Sequence, residues 1–575
     1  MAGKRIQEIR FLAFSICIGM LAAAGALLFR FLIVFFQHLF WGGGETFLDR
    51  VSDTPWWLVL LIPTAGGLLA GPIITFFVPE AKGPGVPEVI ASVVRQHPVR
   101  RRVTYLKALV SSLLIGAGAS VGREGPIVQI GAAIGSAISG FFGLSPEMGR
   151  VYLACGAAAG IAATFNAPIA GTLFAVEIIL FDVEIGFITY IVVSSVVASV
   201  ISRLLYGDFP TFQITGFRFA HYGELIIFLL LGLAAGLVAI VFVKTIFKLD
   251  GFFDRLRLPE WLKPALGGLL LGIMALKLPM VLGVGYDSIN LALGGNLQPI
   301  EAAGMLVFKI AATALCIGSG MSGGIFAPSL VVGAALGTLV GGGAQLVLPA
   351  MHLQPSDYAL VGMGALVAGT TLAPITAILT IFELTYSNRM MLPLMVACIA
   401  SVTVVRLLFG YSAYEIKLLR RGINIVRGHD ISLLRSLKLR SIMTRKYESL
   451  LDSTSLETTV NEVLASSYPH FIVLNEAGEL AGVLSLRDVR LCLTLYDDLK
   501  DIVLVVDLMT REVITVRSDD NLETAFSIFE QNRISFLPVV DPDNEKRVVG
   551  IVKKEDLFQA YRQRVLRDRS LSCPV

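Results

Sequence analysis

Glu124 has the setting in this chain that most invites chemistry. It stands in Gly122-Arg123-Glu124-Gly125-Pro126, at the head of residues 126–146, which hold no Asp, Glu, Lys or Arg. Acids placed inside a membrane are expensive there and functional by default. The plainer reading is a local ion pair with Arg123, but adjacent residues on a helix point apart. Beside an anion site, a glutamate is able to take the ion's own place as a tethered anion. Protonated, it would swing away and admit the ion, which ties anion passage to pH.

The same segment is repeated. Gly324-Ile325-Phe326-Ala327-Pro328 follows at a constant offset of 202, and Gly131-Ala132-Ala133 with Gly135 recurs as Gly333-Ala334-Ala335 with Gly337. A second pair, Ala167-Pro168-Ile169 and Ala373-Pro374-Ile375, leads to Glu177 and Glu383, each ten residues from the start of its segment. A duplicated membrane unit with Gly/Pro interruptions at matching points indicates a transport site between two halves. The pairing of Glu177 with Glu383 favours a structural role for both, tying helices together.

The elements that position these residues follow from the cost of moving an ion through hydrocarbon. An unsolvated ion in a low-dielectric interior costs tens of kcal/mol, so protein groups must replace its water. A cationic side chain would hold an anion too tightly to release it. Backbone N–H groups at the N-terminus of a broken helix do better, offering orphan donors and about half a positive charge. Three segments qualify: Gly122–Pro126, Gly324–Pro328 and the upstream Gly83-Pro84-Gly85-Val86-Pro87. Each Gly/Pro cluster taken singly reads as a kink or a tight helix crossing; the repeat register is what argues for binding.

Composition sets the class. The chain is 55% hydrophobic and 16% charged, with a mean hydropathy of +0.74, against about 25% charged for soluble proteins. Residues 126–146, 151–176, 310–356 and 358–382 are free of charge, and a spanning helix needs about 20 such residues. Gly and Pro cut these runs into pieces too short to cross, so helices are expected to stop within the membrane, where protein or a wet cavity satisfies the loose backbone.

A net charge of +3 argues against nucleic acid as a partner. The positives cluster at Lys4, Arg5 and Arg10, from Arg95 to Arg102, and from Lys417 to Arg421. The positive-inside tendency then puts both termini in the cytoplasm. Arg10 to Trp41 is too long for a cleavable signal and lacks a small-residue cleavage site. The six cysteines are scattered without CxxC pairing, which speaks against metal or redox work. Nothing resembles a nucleophile elbow, a P-loop or a metal site, so the chain is expected not to be an enzyme and to require no cofactor.

The membrane part is read as residues 1–421, followed by a mixed basic linker at 422–440. Charges then return, and short strands (Phe471–Leu474, Leu480–Leu484) alternate with helices at 456–466 and 522–531. The tail is itself repeated. Ile442-Met443-Thr444 recurs as Leu508-Met509-Thr510, and Gly482–Asp488 as Gly550–Asp556. Two units result, 441–500 and 507–565, each too small to be robust alone. They resemble a tandem of CBS (cystathionine-β-synthase) domains. That resemblance implies an adenine nucleotide between the units, with Ser485 and Asp488 at the ribose in the first and Asp556 in the second, where Lys553 replaces the hydroxyl. On the residues alone, the aspartates read as helix caps in a structural tail.

The motifs of the membrane part together resemble the CLC family of chloride channels and chloride/proton antiporters, over about residues 10–421 and in the family's order. The resemblance implies an all-α polytopic membrane protein of inverted-topology repeats with broken helices, plus a cytoplasmic α/β CBS pair. It also implies a homodimer with one anion path per subunit; the apolar runs 188–201 and 390–405 would suit such a face. Carried over by position, Glu124 matches the external gating glutamate. Ile325 and Phe326 match the residues whose N–H groups hold the central anion, and Tyr414 matches the tyrosine whose hydroxyl touches it. On spacing alone Tyr414 is an interfacial aromatic. The anion-binding set is Gly83, Pro84, Gly85, Gly122, Arg123, Gly125, Gly324, Ile325, Phe326, Ala327 and Tyr414.

Two positions depart from the pattern. Pro84 stands where much of the family has serine. Proline offers neither hydroxyl nor N–H, which penalises strongly hydrated chloride more than nitrate, so both anions are candidates and chloride is the first. Ile178 follows Glu177 where antiporters usually carry an internal glutamate for protons. Antiport and passive conduction therefore both stay open, with antiport preferred. Two other classes are weaker. A CBS-tailed divalent-cation transporter would need acidic spans, and a membrane-anchored nucleotide sensor would leave the matched interruptions unexplained.

Overall fold

The computed structural model of the chain describes residues 2–560 except 96–97, 182–184, 213, 215, 218–220, 422, 424–436, 467, 493–495, 497–499, 501, 533 and 558. Most of the linker read at 422–440 thus lies outside the described residues. The chain divides into two compact units, Met1–Ile425 and Val426–Val575.

Among its described residues, the regular elements of the first unit are all helices. Its elements are α1 (Ala2–Trp41), α2 (Phe47–Ser52), α3 (Trp56–Pro72), α4 (Val86–Arg95), α5 (Arg101–Gly116), α6 (Glu124–Phe141), α7 (Pro146–Phe165), α8 (Pro168–Phe174), α9 (Ile185–Tyr206), α10 (Glu224–Arg255), α11 (Lys263–Ala275), α12 (Tyr286–Leu293), α13 (Pro299–Gly318), α14 (Phe326–Val347), α15 (Pro355–Thr371), α16 (Pro374–Thr385), α17 (Met391–Leu408) and α18 (Ala413–Arg420). Eight helices among the described residues are long and apolar enough to cross a membrane, while Pro168–Leu180 and Pro374–Thr385 are apolar but short. The expected helices that stop partway are therefore present. The Arg95–Arg102 stretch is less of a loop than its charges suggest, because Arg95 closes α4 and Arg101 opens α5.

The repeat is visible in how helices begin and end. Ser145 caps α7 by accepting from Met148 N, with Pro146 at the first helical position, an arrangement that costs no backbone bond. α7 ends at Asn166 in the left-handed region (φ 58°), and α15 ends likewise at Leu372 (φ 56°). Each is followed by an Ala-Pro pair that opens the next short helix. Leucine adopts that backbone reluctantly, so the geometry of the corner is set by the repeat and not by residue preference.

Helices α6 and α7 cross at glycines, as do α14 and α15. A side chain on Gly131 would strike the Gly156 carbonyl, and one on Gly333 the Gly362 carbonyl. These crossings occur at the positions that recur at offset 202 and bring the two inner helix pairs to backbone contact, the use of small residues expected in membranes.

The second unit holds two three-stranded sheets. β1 (Ser449–Leu451), β2 (His470–Leu474) and β3 (Leu480–Ser485) form one; β4 (Val516–Arg517), β5 (Phe536–Asp541) and β6 (Asn544–Lys553) form the other. In each, the first pair is parallel and the second antiparallel. The units trade their leading segments. Leu439 is buried in the core with Val516, Leu522 and Phe529, and Thr444 pairs with Ile551. Conversely Val505 lies in the core with Leu456 and Phe471, and Thr510 pairs with Val483. The boundaries 441–500 and 507–565 cut across this exchange. Two cores this small each gain apolar cover from the other's leader, which sequence similarity between the units does not reveal.

Candidate functional site

The three Gly/Pro segments meet at one place. Gly122 N donates to Gly324 O at 2.7 Å and Gly324 N to Gly122 O at 2.6 Å. Gly83 N donates to Met321 O at 3.1 Å, and Gly323 N to Gly83 O at 3.3 Å. The loops ahead of α4, α6 and α14 are thereby stitched together just before each helix starts. Gly83 and Gly85 have φ of +80° and +83°, conformations that L side chains avoid, with Pro84 fixed between them. Gly125 lies so near the Pro84 carbonyl that a side chain there would collide with it.

Glu124 is the first residue of α6 and is 2% exposed. Its Oε2 accepts from Ala327 N at 3.4 Å, and its Oε1 accepts from the Tyr286 hydroxyl at 3.4 Å. The carboxylate therefore lies at the N-terminus of α14, where unsatisfied N–H groups favour negative charge. A side chain on Gly122 would collide with Oε2, so the glycine is the space the carboxylate occupies. Among the described residues no ion pair joins Arg123 to Glu124. The guanidinium lies over the rings of Tyr286 (4.8 Å) and Phe165 (5.4 Å) instead, cation–π contacts that leave the carboxylate to backbone and hydroxyl donors.

Ile325 and Phe326, the cap and first residue of α14, are both buried. Tyr414 is buried in the first turn of α18, within electrostatic reach of Glu124, and is not the exposed interfacial aromatic its spacing alone suggests. A capping box fixes that helix: Ser412 N donates to Glu415 Oε2 at 2.7 Å, and Glu415 N to Ser412 Oγ at 3.2 Å. Lys417 donates to the Lys82 carbonyl at 2.9 Å and pairs with Glu88 at 3.6 Å, holding α18 against the Pro84 turn. A half-open cavity of 250 Å³ begins here, lined by Gly83, Pro84, Ile325, Ala413, Lys417 and Arg421 among others.

Two buried lysines belong to the same design and are missed by the sequence reading. Lys107 donates to Ala81 O and Gly83 O at 2.7 and 3.1 Å, and Lys309 to Val281 O and Gly283 O at 3.0 and 2.9 Å. Both are fully buried and differ in number by 202. Each clamps the turn ahead of a short helix, α4 in one half and α12 in the other. The second turn, Gly283-Val284-Gly285, has φ of +62° and +91° at its glycines and is the mate of Gly83-Pro84-Gly85.

Glu177 and Glu383 do tie helices, and reciprocally. Glu177 accepts from Ile375 N (3.3 Å), Thr376 N (2.7 Å) and the Thr376 hydroxyl (2.6 Å) at the start of α16. Glu383 accepts from Ile169 N (3.0 Å) and Ala170 N (2.6 Å) at the start of α8. Each acid at the far end of one short helix caps the near end of the other, so α8 and α16 run antiparallel, as an inverted repeat requires. Ile178, beside Glu177, is buried in apolar surroundings.

In the second unit, Ser485 N and its hydroxyl both donate to Asp488 Oδ2, at 2.9 and 2.6 Å. Lys553 N donates to Asp556 Oδ2 at 3.4 Å, and the Lys553 ammonium lies over the Tyr468 ring at 5.3 Å. His470 stacks on Phe536 with centroids 4.2 Å apart; burial, then nearby Lys553, holds its imidazole below the usual range, opposed by Asp488.

Broken helices meeting N-terminus to N-terminus between two antiparallel halves define a polytopic, inverted-repeat class of membrane protein. Residues 66–406 match the family described as voltage gated chloride channel, and residues 439–494 and 505–563 match the CBS domain. The chain belongs to the voltage gated chloride channel family and carries a C-terminal CBS pair. A putative chloride channel protein ClcB-like from Ralstonia nicotianae is 38% identical over 419 residues, covering 71% of this chain and 97% of that protein. The H(+)/Cl(-) exchange transporter ClcA of Salmonella typhi is 33% identical over 378 residues, covering 64% and 79%. A slow cyanobacterial Cl-/H+ antiporter has a similar structure, with a TM-score of 0.66 and 28% identity over 72% of this chain and 98% of that one. A eukaryotic CLC transporter shares the fold across 96% of this chain at 21% identity, again with a TM-score of 0.66.

Proposed function

We propose that this chain is a transporter and not an enzyme: it exchanges chloride for protons across a membrane, with Glu124 as the group both ions must displace or load. One observation carries the reading. The Glu124 carboxylate sits at the N-terminus of α14, on Ala327 N, where an anion would otherwise be held. An anion entering that position competes with the carboxylate, and a proton neutralises the carboxylate so that it leaves. The relatives named as H(+)/Cl(-) exchangers support the same substrates here. Both termini in the cytoplasm, a cell or inner membrane location and a homodimer with a path in each subunit complete the proposal.

Passive conduction is the second reading, favoured by Ile178, which cannot titrate. Liposomes holding purified protein under an outward chloride gradient, with voltage clamped by valinomycin, separate the two. Uphill proton movement driven by chloride is expected. Chloride efflux without protons would make the protein a passive conductor and Glu124 only a gate. In the same liposomes Pro84→Ser, which restores a hydroxyl beside the ion position, is expected to lower the nitrate-to-chloride flux ratio; an unchanged ratio would remove Pro84 from selectivity.

The CBS pair is proposed to sense an adenine nucleotide, with Ser485, Asp488 and Asp556 at the ribose. The Ser485–Asp488 hydrogen bond already places a hydroxyl and a carboxylate side by side for a vicinal diol. Titrating the full-length protein with ATP and AMP by calorimetry should give a saturable heat, with an affinity that Asp488→Ala weakens at least tenfold, about 1.4 kcal/mol. No saturable heat would leave the pair as a structural tail.

A further inference from the structure

We propose that Tyr286 is a positioning residue for the gate: its hydroxyl donates to the ionised Glu124 carboxylate and keeps it in the ion's place. The inference rests on reading Glu124 as the gate and names what holds it closed.

The hydroxyl lies 3.4 Å from Glu124 Oε1, and the structure determines its aim from several directions. Tyr286 is the first residue of α12, directly after Gly285 in the left-handed region. The turn that precedes it is clamped by Lys309 through the carbonyls of Val281 and Gly283. The ring meets Phe212 edge-on at 5.4 Å and lies under the Arg123 guanidinium at 4.8 Å. The phenol is thus seated by an anchored turn and two ring contacts, with its oxygen within reach of both the carboxylate and Arg123.

The repeat makes the assignment sharper. Tyr286 follows Gly283-Val284-Gly285 as Val86 follows Gly83-Pro84-Gly85. The half that carries Val86 has no hydroxyl at this point, so the donor is an addition of one half, present on the side where the carboxylate rests. Among the described residues, the groups facing Glu124 are few. Arg123 precedes it in its own segment, α14 contributes the backbone N–H of Ala327, α12 contributes Tyr286, and α18 contributes Tyr414. Arg30 of α1 is within electrostatic reach of Arg123 and Tyr286. A hydrogen bond donated to a carboxylate favours its charged form. Tyr286 therefore stabilises the ionised, closed gate, and opening by protonation must overcome it.

The test is the pH profile of chloride flux in liposomes for wild type, Tyr286→Phe, Glu124→Gln and the double variant. Tyr286→Phe keeps the ring and both of its contacts and removes only the hydroxyl. Its activation midpoint is expected to move to higher pH by about 0.5 to 1 unit, a threefold to tenfold gain in flux at a fixed pH on the ionised side. The double variant should match Glu124→Gln alone. An unmoved midpoint in Tyr286→Phe, with Glu124→Gln flat across pH, would overturn the positioning role and leave the gate intact. A Glu124→Gln variant that keeps the wild-type pH profile would overturn the gate itself, and this inference with it.

Discussion

Glu124→Gln is expected to end proton movement and make anion flux independent of pH. Gln has nearly the same shape, but Tyr286 and Ala327 N donate to separate carboxylate oxygens, and the amide keeps only one acceptor oxygen. What it lacks is a charge that answers the α14 N-terminus and a proton to give up. In the wild type, the protonated fraction falls about tenfold for each pH unit above the midpoint, and flux should follow it on that side. In the variant the gate stays neutral at every pH, so the slope disappears and flux stays at the level of the open state. Measurement of chloride efflux and proton uptake in the same vesicles checks both at once. Retained proton uptake would place the proton carrier elsewhere and detach the buried carboxylate from transport.

Gly131→Ala is expected to lower stability sharply at the crossing of α6 with α7. The new methyl would meet the Gly156 carbonyl of α7 well inside contact distance. Neither backbone yields easily in a close-packed crossing, and overpacking of this kind costs roughly 1–3 kcal/mol or more. Gly140→Ala on the same helix provides the control, since nothing lies within 4 Å of the position where its Cβ would stand. There alanine should be neutral or stabilising by up to about 1 kcal/mol through helix propensity. The thermal midpoint of purified Gly131→Ala should fall below wild type, while that of Gly140→Ala stays at or above it. Equal midpoints would mean that α6 and α7 do not approach as closely as their glycines indicate.

The parts of this molecule legible in its sequence are those where one residue type is forced. Gly131 and Gly333 recur at a fixed offset because backbone meets backbone at each, and Gly122 and Gly324 recur where their loops pair and the Glu124 carboxylate takes the remaining room. Glu177 and Glu383 were readable because a carboxylate at matching ends of two apolar runs has few other uses. The tail strands Phe471–Leu474 and Leu480–Leu484 were readable from their alternation and fall within β2 and β3.

The rest was hidden for physical reasons. Gly283-Val284-Gly285 lacks the proline that makes Gly83-Pro84-Gly85 conspicuous, although the backbone does the same thing. Lys107 and Lys309 carry no mark of their role, because a lysine whose ammonium is satisfied by two carbonyls looks, in sequence, like one facing water. Their spacing of 202 was the available signal. Tyr286 carries no motif at all; its role depends on a hydroxyl reaching across 162 positions of sequence to Glu124. The exchanged leaders of the CBS pair were invisible because β4 is two residues long and Leu439 precedes the repeat that marks its unit.

The mutual capping of α8 and α16 also sets an order in time. Glu177 and the N–H groups of Ile169 and Ala170 emerge from the ribosome about two hundred residues before their partners at Glu383 and Thr376. At about 5–20 residues per second, the first half waits on the order of 10–40 s with that carboxylate and those donors unmatched. Neither half is finished by its own chemistry, and the nascent chain must keep the first one hydrated or shielded until the second arrives.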